Sequence, residues 1–299
     1  MPNRPRPRLR PLLALLLAAS CSLGAHAAEP LPQLQGWQVP PAWLTPITPA
    51  QISDHVWQLG MVGITTLLFK TEAGAVLIDG GMPQAAPVIL DHLKQIGVAP
   101  SDVKLLLHSH AHADHVGSTA ALQRATGAVV VSNAESAVLM ARGGYNDLHY
   151  GDSIVFPPVT ATRLLQDREV VQLGSLRLQV WFTPGHTPGS MSWTWTDTRG
   201  GKATRMALVD SLTLPGYRLL QSAIYPRIVE EFQRGLAAIR EMPCDVLITP
   251  HPDISGWQFD KPGNPHPEPL SCTAYADRAE ANMRKQLEAQ RAAATSKAP

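Results

Sequence analysis

The stretch His108 to His115, with the sequence His-Ser-His-Ala-His-Ala-Asp-His, constrains this chain more than any other. It leaves an apolar run, Val103 to Leu107, that reads as a buried strand, and it passes into Val116-Gly117-Ser118, where the glycine lets the chain turn toward a helix. Four candidate metal ligands, His110, His112, Asp114 and His115, therefore crowd one strand-end turn. On an extended segment, positions 110, 112 and 114 converge on one side while His115 points away. One ion would not take all four, so the spacing suggests two ions side by side. Imidazole loses its proton near neutrality and binds zinc well, and a carboxylate adds negative charge to a cationic site.

Two further histidines occupy similar settings. His186 lies in Thr183-Pro184-Gly185-His186-Thr187-Pro188-Gly189 after the strand-like Leu178 to Phe182, and His251 lies in Thr249-Pro250-His251-Pro252 after Val246 to Ile248. A lone histidine is usually structural. Three strand ends carrying six ligand-type residues point instead to a site held by a rigid scaffold.

The scaffold is legible from periodicity. Strands are expected at Val56 to Leu59, Thr65 to Lys70, Ala75 to Ile78, Val103 to Leu107 and Ala128 to Val131, with helices over Pro83 to Gln95, Ser118 to Ala125 and Ala134 to Arg142. The second half has a hairpin over Glu169 to Phe182 turning at Gly174-Ser175, strands at Ser190 to Thr196, Met206 to Val209 and Asp245 to Thr249, and helices over Tyr225 to Glu241 and Cys272 to Ala293. Strand groups alternate with helices in both halves, which predicts an α/β architecture with helices outside two packed sheets. The expected division is 56–158 and 159–299 as two αβ halves of one domain spanning 28–299. Residues 28–55, rich in proline and carrying Trp37 and Trp43, read as an N-terminal extension over the surface.

Arg4, Arg6, Arg8 and Arg10 precede the apolar stretch Leu12 to Ala19, and Ala25-His26-Ala27 supplies a small-x-small cleavage pattern, so 1–27 reads as a signal peptide. The apolar run is too short to span a bilayer, and Cys21 is only a weak lipobox, so no stable membrane anchor is expected. Cleavage would remove four arginines and no acid, moving the formal charge from +1 to −3. No basic face remains to suggest nucleic acid. Export to the periplasm favours a disulfide between the remaining Cys244 and Cys272 over two separate thiols.

The pattern His-x-His-x-Asp-His, then Gly185-His186, then a late His251 resembles that of the metallo-β-lactamase superfamily, over nearly the whole chain after the signal. The resemblance implies an αβ/βα four-layer sandwich of two mixed β-sheets with helices outside. It also implies two Zn2+ per chain, with His110, His112 and His186 on the first and Asp114, His115 and His251 on the second. A finer resemblance is to class B, subclass 3 metallo-β-lactamases, carried by the six ligands, the export signal, the late cysteine pair and Asp210-Ser211-Leu212-Thr213, where Thr213 stands for a commoner serine.

That finer resemblance implies hydrolysis of the β-lactam amide of penicillins, cephalosporins and carbapenems by a zinc-activated water. Asp114 would orient the nucleophile, Ser211 and Thr213 would bind the substrate carboxylate, and Tyr217 would donate to the developing oxyanion. Asp210 is read as structural rather than bridging, and His108, His55, His92, His149 and His266 are read as non-ligands. The loops 143–158 and 255–270, with Trp37 and Trp43, are candidate cleft walls. The resemblance leaves monomer and homotetramer open, with the N-terminal extension and Met140 as a candidate interface. Alternatives are a secreted lactone or ester hydrolase on the same fold, and a metal-binding protein without turnover.

Overall fold

The computed structural model describes residues 38–261 and 263–296. The signal segment, Cys21 and Trp37 lie outside the described residues. Alternation along the strands dictates how the layers stack. In β3 (Leu67–Thr71) Leu67 and Phe69 face one way and Leu68 the other, and β4 (Gly74–Ile78) divides likewise between Val76 and Ile78 on one face and Ala75 and Leu77 on the other. Both faces are apolar, so the sheet must be covered on both sides. In chain order this sheet comprises β1 (Ala50–Gln51), β2 (Val56–Gln58), β3, β4, β5 (Val103–Leu107), β6 (Val129–Ser132) and β7 (Arg163–Leu164). The pairings from β1 to β4 are antiparallel and those from β4 to β7 parallel.

The second sheet has the order β12-β11-β10-β9-β8, formed by β8 (Val170–Leu173), β9 (Leu176–Phe182), β10 (Met191–Arg199), β11 (Lys202–Leu208) and β12 (Val246–Ile248). Only β11 and β12 run parallel. Leu178 and Val180 of β9, Met206 and Leu208 of β11 and Ile248 of β12 meet Phe69, Ile78, Leu107 and Val131 across the middle of the molecule. The opposite faces bury helices. On the first sheet these are α1 (Ala86–Gln95), α2 (Ala113–Val116), α3 (Thr119–Thr126) and α4 (Ala134–Ala141), which bring Ile89, Val116, Leu122 and Met140 onto Leu77 and Val130. On the second they are α5 (Ile228–Glu241) and α6 (Cys272–Thr295), which bring Phe232, Leu236 and Ala276 onto Ala207 and Leu247. The result is the expected α/β sandwich of helices, two mixed sheets and helices.

Local chemistry sets the helix ends. Proline sits in the first turn of α1, where a missing N–H costs nothing. Glu230 and Glu231 open α5 and Arg240 closes it, matching the helix dipole. The hydroxyl of Ser271 caps α6 by accepting the Ala274 N–H. Cys244 and Cys272 form a disulfide that ties the approach to β12 to the start of α6, closing a loop of 28 residues. On the chain-entropy model such a closure stabilises the fold by about 3 to 4 kcal/mol. Among the described residues no helix is long and apolar enough to cross a membrane.

Three expectations need correction. The segment through His115 is not extended: the N–H groups of His115 and Val116 bond back to the His112 carbonyl and open α2, so Asp114 and His115 sit on a helical turn. The part of the N-terminal extension that is described does more than cover the surface. Ile47 and Ile52 enter the core between the sheets, and β1 pairs with β2 as an edge strand. Met140 is fully buried under the first sheet and has no surface to offer an interface.

Candidate metal centre

The ligand-type residues leave the ends of strands from both sheets. His108 to His112 follow β5, His186 follows β9, Asp210 follows β11 and His251 follows β12. Cross-sheet hydrogen bonds lock these ends together. The Ser109 carbonyl accepts the Met191 N–H at 2.8 Å, the His108 carbonyl accepts the Trp193 indole N–H at 3.0 Å, and the Thr249 carbonyl accepts the Thr65 hydroxyl at 2.7 Å. Gly185 is needed here: its φ is +141°, and a Cβ would lie 2.3 Å from the Phe232 ring of α5.

Two overlapping groups result, His110 with His112 and His186, and His110 with Asp114 and His115, with the candidate ligand atoms of each within 4.8 Å of one another. In the first group the ring centroids form a near-equilateral triangle with sides of 4.7, 4.6 and 5.0 Å. His251 joins the second group, its Nε2 3.4 Å from Asp114 Oδ2, while His115 Nε2 stands 3.1 Å from the same oxygen.

Each histidine is held from behind. His110 Nδ1 meets Asp210 Oδ1 at 2.8 Å, and His186 Nδ1 donates to the Thr213 carbonyl at 2.7 Å. His115 Nδ1 lies 3.3 Å from Asp79 Oδ2, and His251 Nδ1 donates to the Gly63 carbonyl at 3.1 Å. His112 Nε2 faces Asp147 Oδ2 at 3.4 Å. An acceptor behind one ring nitrogen fixes the tautomer and leaves the other nitrogen's lone pair for a cation. Five imidazoles so arranged, with a buried carboxylate among them, form a donor set that suits zinc.

Electrostatics divide the groups. Burial, then the neighbouring imidazoles, pushes His110 and His186 well below the ordinary histidine range, so both rings are neutral. Burial acts on His115 in the same direction, but the carboxylates of Asp114 and Asp79 overcome it and lift the ring to about 10. Asp114 is held well below the carboxylate range by His115 and His251 against its own burial.

Asp79 takes a left-handed backbone conformation, φ +64°, at the end of β4. Its carboxylate accepts both the N–H and the hydroxyl of Ser109, each at 2.7 Å, which sets the start of the histidine loop. His108 is buried and bonds Ser132 rather than facing the cluster. His92 bonds the Leu59 carbonyl, His266 the Ser255 carbonyl, and His55 pairs with Asp197.

The residues assigned to substrate are placed unevenly. Thr213 lines an open cleft of about 330 Å³ that also contains His112, Asp114, His186 and His251. Ser211 is buried, with no hydrogen-bond partner for its hydroxyl among the described residues. Tyr217 lies behind His186: it is 2% exposed and its hydroxyl donates to the His186 carbonyl at 3.1 Å. An oxyanion role for Tyr217 therefore needs correction, because the hydroxyl is already committed and its acidity is pushed far down by burial. The tyrosine that lines the cleft is Tyr150, with its ring 5.3 Å from that of His112. Trp43 stacks on His251 at 4.8 Å, and Ile154 and Ile254 add apolar wall, whereas none of the described residues of 255–270 lines the cleft. Asp147 and Tyr150 escaped the sequence reading. Their only signal was a loop dense in glycine, aspartate and aromatics.

A family model described as the metallo-beta-lactamase superfamily matches residues 59–201. Among solved structures, BJP-1, a subclass B3 metallo-beta-lactamase of Bradyrhizobium japonicum, is similar with a TM-score of 0.77 and 33% identity, covering 84% of this chain and 98% of that one. Among curated relatives, hydroxyacylglutathione hydrolase of Anaeromyxobacter dehalogenans is 37% identical over 130 residues, 44% of this chain and 41% of the relative. An N-acyl homoserine lactonase of a Bacillus species is 27% identical over 170 residues, 49% of this chain and 60% of the relative. This chain thus spans between two fifths and three fifths of those curated relatives' lengths.

Proposed function

This chain belongs to the metallo-β-lactamase superfamily, and on that premise we propose that it hydrolyses the β-lactam amide of penicillins, cephalosporins and carbapenems at a centre for two zinc ions, after export to the periplasm. The observation that carries the reading is five imidazoles, three hydrogen-bonded at one nitrogen and two facing a carboxylate at 3.3 and 3.4 Å, around a buried Asp114, in a chain similar over nearly all of its fold to a subclass B3 enzyme. When bound, zinc supplies a Lewis acid for the carbonyl and draws a nucleophile from water at neutral pH.

This chain's own residues do the rest. His110, His112 and His186 hold the first ion, and Asp114, His115 and His251 the second. Asp114, ionised and fixed between His115 and His251, orients the attacking water through its free lone pairs. Trp43, Tyr150, Ile154 and Ile254 give the cleft apolar walls that exclude bulk water and fit the hydrophobic edges of a bicyclic lactam. No lysine or arginine lines this cleft among the described residues, so the hydroxyl offered to the substrate carboxylate is that of Thr213, while Ser211 is buried outside the lining.

A second reading, a lactone or thioester hydrolase, is favoured by the names of the curated relatives. In that reading Asp210 would bridge the ions. Its Oδ1 is engaged with His110 Nδ1 at 2.8 Å, as a carboxylate that orients a ligand, which favours the first reading. Nitrocefin, imipenem and an N-acyl homoserine lactone offered to purified zinc-loaded protein separate the two. Turnover of both lactams is expected, and turnover of the lactone alone would select the second reading.

A further inference from the structure

We propose that Asp147 is a positioning residue for His112, and that the loop 143–158 braces the first metal group while leaving the second untouched. One carboxylate oxygen of Asp147 accepts the N–H groups of His149 and Tyr150 at 2.8 and 2.9 Å, and its backbone pairs in both directions with Gly151 at 3.0 Å. The side chain is therefore fixed before any metal arrives. Its other oxygen faces His112 Nε2 at 3.4 Å, and the two side chains are only 6% and 7% exposed. An ionised carboxylate only accepts, so the ring nitrogen that faces it is served best as Nε2–H, and the Nδ1 lone pair is left for a cation.

The same loop reaches a second ligand of that group. The His149 ring lies flat on Tyr217, with centroids 3.3 Å apart and planes 6° apart, and the Tyr217 hydroxyl holds the His186 carbonyl. Two of the three first-group histidines thus depend on 143–158. The second group draws its braces elsewhere, His115 from Asp79 at the end of β4 and His251 from the Gly63 carbonyl. Neither contact involves the loop. His110, common to both groups, is held by Asp210.

The inference rests on the two-ion reading of the centre, and zinc affinity tests it without any substrate. Competition against a chromophoric chelator is run on the mature protein and on His115→Ala, in which only the first group remains intact. Asp147→Ala is expected to weaken first-group zinc about 10- to 100-fold in both backgrounds, the usual effect of removing a partner behind a ligand, with second-group affinity unchanged. Asp147→Asn keeps a single oxygen, which can accept from Nε2–H or from the two backbone N–H groups but not from both, so it should lose part of the affinity and never more than Asp147→Ala. His149→Ala, which unseats Tyr217 without touching Asp147, should give a smaller loss confined to the first group, and it carries the test if Asp147→Ala does not fold. Unchanged first-group affinity in Asp147→Ala, or a loss in the second group, would overturn the proposal. A protein that shows the expected affinities yet spares β-lactams would sink the functional reading and leave this one standing.

Discussion

The two candidate metal groups differ in what holds them. The first consists of imidazoles alone, with His110 and His186 made neutral by burial, braced by a carboxylate, a carbonyl and a long loop. The second gathers a carboxylate around two imidazoles, and its His251 side chain is 17% exposed where His110 is 1%. Buried neutral imidazoles form a preorganised cage, whereas a charged and more open group exchanges ligands and admits substrate more readily. This division suits a centre in which one ion anchors and the other meets the substrate.

The sharpest break in that contrast is His110→Ala, which removes a ligand of the first ion. First-group zinc should be lost and kcat on imipenem should fall by about 10⁴-fold or more, the several kcal/mol that a lost Lewis acid represents. Retention of two tightly bound zincs would remove His110 from the ligand set. His115→Ala comes next. It should leave one zinc per chain by mass spectrometry and lower kcat/KM by about 10²-fold, equivalent to losing the charge stabilisation of one site. Two zincs retained would remove His115 from the ligand set.

Gly185→Ala sharpens the contrast through the backbone alone. A Cβ at this positive φ meets Phe232, so destabilisation of about 1 to 3 kcal/mol is expected in denaturant melts, with first-group zinc weakened through His186 and the second group spared. The smallest effect lies far from both groups, at His55 and Asp197. The hydrogen bond to Asp197 raises His55, and His55 with Ser53 lowers Asp197 against its partial burial. The histidine's contribution is full below its unfolded value of about 6.5 and is lost as pH rises through the raised folded value. His55 is 64% exposed, so His55→Ala should cost less than about 1 kcal/mol at pH 5.5, nothing at pH 9, and less in high salt. Any change in zinc content in this variant would mean that the sheet edge is coupled to the centre.

Much of the centre was legible because its ligands sit at strand ends marked by apolar runs and by glycine or proline. Val103 to Leu107 is a strand with the bounds its composition announces, and the hairpin turns at Gly174-Ser175 as read. What escaped depends on contacts that no local pattern encodes. The four-residue helix Ala113–Val116 is too short for a period to register. Asp147 meets a histidine 35 positions away, through a loop whose path includes Asn146 at φ +55°. The resemblance implies an oxyanion donor at Tyr217, but only the folded chain shows its hydroxyl turned to the His186 backbone. Periodicity reports burial and strand direction, whereas the braces behind ligands are set by tertiary packing.

Hydrolysis of β-lactams with metal held by both groups is tested by titrating zinc into chelator-stripped mature protein while counting bound metal and following imipenem absorbance. No hydrolysis is expected without metal, and activity should rise with zinc to a plateau at two per chain. Full zinc loading without imipenem or nitrocefin turnover would contradict it.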